Sequence, residues 1–147
     1  MSRSHAFLAA AAAAWLAVSS VVAGGWAAAQ VGKSVWDGVY SDDQAARGKK
    51  VYVESCASCH QEGLQGADLA PPLKGADFVL KWSGFSVQDI FTTVANTMPA
   101  DSPGKLAPQE NADVLAYVMQ VNKFPAGRDE LKPDAALLKA IAIGPKP

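Results

Sequence analysis

The chain has 147 residues, a formal net charge of −1 and 50% hydrophobic residues, a length that suits one domain. Its 13 Lys and Arg residues are scattered among 14 Asp and Glu. That balance excludes a nucleic-acid footprint and a polybasic membrane patch, both of which need clustered cations.

Much of the hydrophobicity lies at the front. Met1 to His5 is a short polar start carrying Arg3, Ala6 to Ala23 is an alanine-dominated apolar run, and Ala27-Ala28-Ala29 follows. A basic start, an apolar middle and a small-x-small cleavage site are the parts of a secretory signal peptide, expected over 1–29 with cleavage before Gln30. The competing reading is an uncleaved anchor, because 18 apolar residues come close to the lower limit for a membrane span. Export places the chain in the periplasm, an oxidising compartment where an unprotected Cys pair tends to form a disulfide. From Gln30 onward 12 basic residues face 14 acidic ones.

Residues 30–40 (QVGKSVWDGVY) carry Gly and aromatics without helical periodicity and read as an extended arm. A main domain is expected over 41–124. Ser41 opens it as an N-cap, with Asp42 and Asp43 in the first turn and Gln44 at N3 to close a capping box. Ala45, Gly48, Tyr52 and Cys56 then share one side of a helix that ends at CASCH, residues 56–60. Gln61 to Gly75, rich in Gly, Pro and Ala, reads as a loop, and a short helix is expected near Asp77 to Trp82. Ser86 with Asp89 at N3 caps the next helix, which Pro99 ends by disfavouring α conformation at Met98. Pro108 and Glu110 begin the following one. Its apolar face of Val114, Leu115, Tyr117, Val118 and Val121 is broad enough to be well buried, and it is expected to stop near Asn122. The tail, 125–147, contains PDAALLKAIAI, a candidate for one short helix. Nothing reads as a repeat or hairpin. The fold class expected is all-α.

CASCH carries the chemistry. With His5 in the leader, Cys56, Cys59 and His60 are the only Cys and His residues of the exported chain. A structural zinc site wants four such ligands. A thioredoxin-like pair needs a strand–helix context and begins its helix, whereas this pair ends one. An inert disulfide leaves His60 without a role. C-x-x-C-H is the attachment sequence of c-type haem: two thiols add across the vinyl groups, and the next residue offers its imidazole to the iron. For the second axial face the candidates are Met98, Met119 and an open site. Met119 follows Leu115 by one helical turn and reads as core, while Met98 lies in a loop stiffened by Pro99. Met98 is therefore the expected ligand. A thioether stabilises Fe(II), and a haem closed on both faces has no vacant position for O2, which suits an electron carrier rather than an enzyme.

A capped helix ending in CASCH, a Pro-rich loop, an intermediate helix, the NTMP loop and a last helix with LAYV resemble class I (monohaem) cytochrome c over about Ser41 to Asn122. The resemblance implies a small fold of four to five helices around one covalently attached haem, its first and last helices crossing through Gly48, Tyr52 and Tyr117. It implies that the Pro71 carbonyl, within P-x-L-x-G, accepts the Nδ1–H of His60, and that the Trp82 indole bonds a haem propionate. Ala107 departs from the usual Ser or Thr cap of the last helix, at a cost of about 1 kcal/mol. The stretches VWDGVYSDDQAARG, APPLKGADFVLKW and TMPADSPG are similar to bacterial cytochromes associated with PQQ-dependent alcohol dehydrogenases.

The function expected is a periplasmic one-electron carrier between a dehydrogenase or quinol complex and a terminal oxidase, a monomer or a dehydrogenase subunit. The competing reading from another class is a haem enzyme or gas sensor with an open distal face.

Overall fold

A computed structural model describes residues 32–147; the signal peptide expected over 1–29 lies outside them. In chain order the elements are β1 (Lys33–Ser34), α1 (Asp42–Ser55), α2 (Ala57–His60), α3 (Gly75–Trp82), α4 (Val87–Thr97), α5 (Pro108–Val121), α6 (Ala135–Lys139) and β2 (Ile141–Ala142). The architecture is all-α. Among the described residues two of the six helices, α2 and α6, are about a single turn, and the strands form one two-residue parallel pair, Lys33 opposite Ile141.

The frame is the crossing of α1 and α5. Gly48 sits where the helices touch: a Cβ there would collide with the Asp113 carbonyl and press on Val114 N. Without one, the backbones approach closely enough for Tyr52 and Tyr117 to pack at 5.4 Å between ring centroids. Beside this contact lies a buried polar knot. Asp113, 5% exposed, accepts from Arg47 Nε at 3.0 Å, Gln44 Nε2 at 3.0 Å and Gln109 Nε2 at 2.8 Å. Burial alone pushes its carboxyl up, but the hydrogen bonds from Arg47, Gln109 and Gln44, with the Arg47 charge, outweigh burial and hold it below its ordinary value.

Ser41 caps α1 as expected, its Oγ accepting from Gln44 N at 3.2 Å. The other half of the expected capping box is corrected. The Gln44 side chain is fully buried and pairs with Leu131, donating to its carbonyl at 2.8 Å and accepting its N–H at 2.7 Å. A chance to satisfy both ends of a buried amide outcompetes a solvent-facing cap bond. In α4 the Asp89 carboxylate reaches back to Ser86 N at 2.8 Å. In α5, where Ala107 has no side-chain oxygen, Glu110 still accepts from Ala107 N at 2.7 Å.

Arm and tail close the side of the core formed by Phe78, Ile90 and Met119. Val35, Phe124 and Ile143 seal that apolar cluster. Tyr40 Oη donates to the Phe124 carbonyl at 2.6 Å, Trp36 Nε1 donates to Gly144 O at 3.0 Å, and Leu131, Leu138, Ile141 and Ile143 are buried. Ile143 also exchanges backbone bonds with the turn before α4, accepting from Gly84 N and donating to Phe85 O, both at 2.9 Å.

Candidate functional site

The end of α1 hands Cys56 to the site. Its N–H still closes the helix on Tyr52 O at 2.8 Å, and its own carbonyl accepts from Cys59 N at 3.2 Å and His60 N at 3.0 Å to wind α2. Spacings of three and four residues bring Cys56, Cys59 and His60 to one side of that turn. Burial, with the Cys59 sulfur beside it, pushes the Cys56 thiol up to about 11, unlike the lowered value of a redox-active pair.

His60 is buried at 7% exposure, and its Nδ1 lies 2.9 Å from the Pro71 carbonyl. A carbonyl only accepts, so Nδ1 carries the hydrogen, and in the neutral ring Nε2 is then the nitrogen with a lone pair for a metal. The loop between the two residues is tightly bonded. Tyr52 Oη donates to Gln61 O at 2.7 Å, Gly66 N to His60 O at 3.0 Å and Leu73 N to Leu64 O at 2.9 Å. Gly66 has φ +72°, and a Cβ there would strike Ala70 O and the Pro71 backbone; only glycine lets the chain double back so closely.

Met98 caps α4, its N–H bonded to Val94 O at 2.9 Å, and is half-buried beside the buried Pro99. Cys56, Cys59, His60, Pro71, Trp82 and Met98, the residues expected from the sequence to hold the haem, line one cleft of about 370 Å³. Ile90, Val94, Leu115 and Val118 supply its apolar wall, while Lys81 and Asp101 are the charged side chains at its lining. Met119 lies instead in the apolar core at 4% exposure. Sequence reasoning missed Asn122, which joins the end of α5 to the Leu73–Gly75 backbone; an Asn just beyond a helix signals a cap but not a partner 49 residues away.

A helical frame that opens an apolar cleft beside a C-x-x-C-H turn defines a c-type cytochrome. The family described as "Cytochrome C oxidase, cbb3-type, subunit III" matches residues 43–118. Cytochrome c6 of Nostoc sp. (strain PCC 7120) is 36% identical over 78 residues, 51% of this chain and 68% of that protein. Cytochrome c6 of Anabaena variabilis is also 36% identical, over 51% of this chain and 88% of that one. Among solved structures, the sulfane dehydrogenase SoxCD of Paracoccus pantotrophus aligns with a TM-score of 0.44 at 20% identity, over 60% of this chain and 53% of that chain, about half its length. The chain belongs to the monohaem c-type cytochromes.

Its prosthetic group is haem c, and the residues present fit it. Two thiols sit at attachment spacing, an imidazole is held with Nε2 free of its Pro71 partner, and the cleft's wall is apolar, as a flat hydrophobic macrocycle needs. Its activity is electron transfer with redox protein partners. Among the described residues, no helix is long and apolar enough to cross a membrane.

Proposed function

We propose that this chain is a periplasmic one-electron carrier in which Cys56 and Cys59 would hold the haem and His60 and Met98 would ligate its iron. It takes electrons from a dehydrogenase, a PQQ-dependent alcohol dehydrogenase among the candidates, or from a quinol complex, and passes them to a terminal oxidase. The observation that carries the reading is that Cys56, Cys59, His60 and Met98 line a single apolar cleft. Bound haem c supplies the one-electron iron couple. The protein does the rest. The Pro71 carbonyl fixes the His60 tautomer and ring and increases its basicity as a ligand. Met98 would offer a soft sulfur ligand, which favours the reduced state of bound iron. Trp82, at the cleft wall, steadies a propionate through its indole N–H. The tail buries Leu131, Leu138, Ile141 and Ile143 in its own core, which favours a freely diffusing carrier over a subunit docked through that tail.

Optical spectroscopy of the haem-loaded protein tests the ligand set. The oxidised protein should show the Met-to-ferric-haem charge-transfer band, and Met98→Ala should abolish it. Ready binding of CO by the native ferrous protein would instead mean an open distal face and a haem enzyme or gas sensor.

A further inference from the structure

We propose that Asn122 is a positioning residue for His60: it clamps the backbone that carries the histidine's hydrogen-bond acceptor. The inference rests on the reading of His60 as an iron ligand.

The reason begins with two prolines. Pro71 accepts the Nδ1–H of His60 at 2.9 Å, so its carbonyl sets the ring only as well as its own segment is held. Pro71 and Pro72 have no N–H, and the two peptide units nearest that carbonyl therefore cannot be tied down by donating. Before the prolines Ala70 exchanges backbone bonds with Ala67, at 2.8 and 3.1 Å, and after them anchoring falls to Leu73 and Gly75. Leu73 N donates to Leu64 O at 2.9 Å. Its carbonyl and the Gly75 N–H both go to one side chain, Asn122, whose Nδ2 donates to Leu73 O at 2.9 Å and whose Oδ1 accepts from Gly75 N at 2.9 Å. Its second Nδ2 hydrogen reaches Val118 O at 2.9 Å, one turn back in α5. The amide orientation follows from its partners, since a carbonyl only accepts and an N–H only donates. Asn122 thus welds the end of α5 to both sides of one turn, and its fixed α5 end transmits the frame's position to Pro71.

No other side chain of that length supplies this set. Asp keeps the acceptor for Gly75 but turns a carboxylate oxygen toward the Leu73 and Val118 carbonyls. Ala removes every bond, and Ser keeps one at most. Loosening the turn lengthens the His60–Pro71 bond, makes the imidazole a weaker base and so favours the ferrous state.

The test uses the full-length, haem-loaded protein and its Asn122→Ala, Asn122→Asp and Asn122→Ser variants, with Gln120→Ala as a control on the same helix. Three quantities are read: the midpoint potential, the solvent exchange of the His60 Nδ1 proton by NMR in the ferrous state, and Tm. The clamp predicts a higher potential and exchange faster by about tenfold in the Asn122 variants, with Gln120→Ala at native values. If the Asn122 variants lose Tm while potential and exchange stay native, the residue is only a helix cap and the proposal is overturned. Failure of all three variants to accumulate haem-loaded protein also overturns it, since a positioning residue leaves attachment intact. A native spectrum without His/Met low-spin character would sink the ligand reading instead, and it is recorded before any variant is compared.

Discussion

Gly48 shows how one missing atom sets a whole interface. Its Cβ position is occupied by the backbone of Asp113 and Val114, and main chain inside a helix cannot rotate away as a side chain can. Gly48→Ala gains roughly 1 kcal/mol of intrinsic helix propensity but forces the crossing apart. Overpacking of this kind costs about 1–3 kcal/mol and more where the backbone must shift. We expect a net loss of about 2 kcal/mol in denaturant unfolding of the haem-loaded protein, together with a disturbed Tyr52–Tyr117 contact seen by NMR. An unchanged unfolding midpoint would contradict the crossing described here. The position was legible through the resemblance to class I cytochrome c, and the cost of glycine in a helix agrees with it. That Cys56, Cys59, His60 and Met98 would share one cleft was legible for a different reason: the chain offers few Cys, His and Met side chains to choose from.

At the scale of elements, boundaries were readable where the cause is local. Ser41, Ser86, Pro99 and Pro108 act within a turn of themselves, and α1, α4 and α5 begin or end at them. The turn of α2 and the fate of Gln44 were not readable, because the partners of Gln44, Asp113 and Leu131, lie 69 and 87 residues away. That knot joins α1, α5 and the tail, with Arg47 also bridging to Glu130 at 2.9 Å, and it has a signature in pH. Folding holds the Asp113 carboxyl below its ordinary value near 3.8. A carboxylate depressed in the folded state contributes stability that is fully present above the unfolded value and is lost as pH falls through the folded one. Asp113→Asn cannot titrate and turns an amide N–H₂ toward donors. It should unfold more easily than the native protein by about 2–3 kcal/mol at neutral pH. The gap should narrow once pH drops below the ordinary carboxylate value. Chemical denaturation at several pH values measures it, and a gap that stays constant into acid would rule out Asp113 as the titrating group.

For the whole molecule, the question is how one copy meets another redox protein. From residue 30 onward 12 basic and 14 acidic residues nearly cancel, and the cleft is lined by one cation and one anion, Lys81 and Asp101. Leu69, fully exposed at the same lining, offers apolar surface where electrons would cross. Charge-steered encounter slows or speeds steeply with ionic strength, because screening acts over about 10 Å at 0.1 M salt. An approach through a balanced, apolar mouth has little for salt to screen. Electron self-exchange between reduced and oxidised copies probes this without any assumption about the physiological partner. Its rate, from NMR line broadening, should change by less than about threefold between low and physiological ionic strength. A rate rising tenfold or more with salt would mean that like charges on the two copies face each other around the cleft. Docking would then depend on the scattered lysines and carboxylates outside its lining, and a partner would have to be sought by opposite charge rather than by an apolar face.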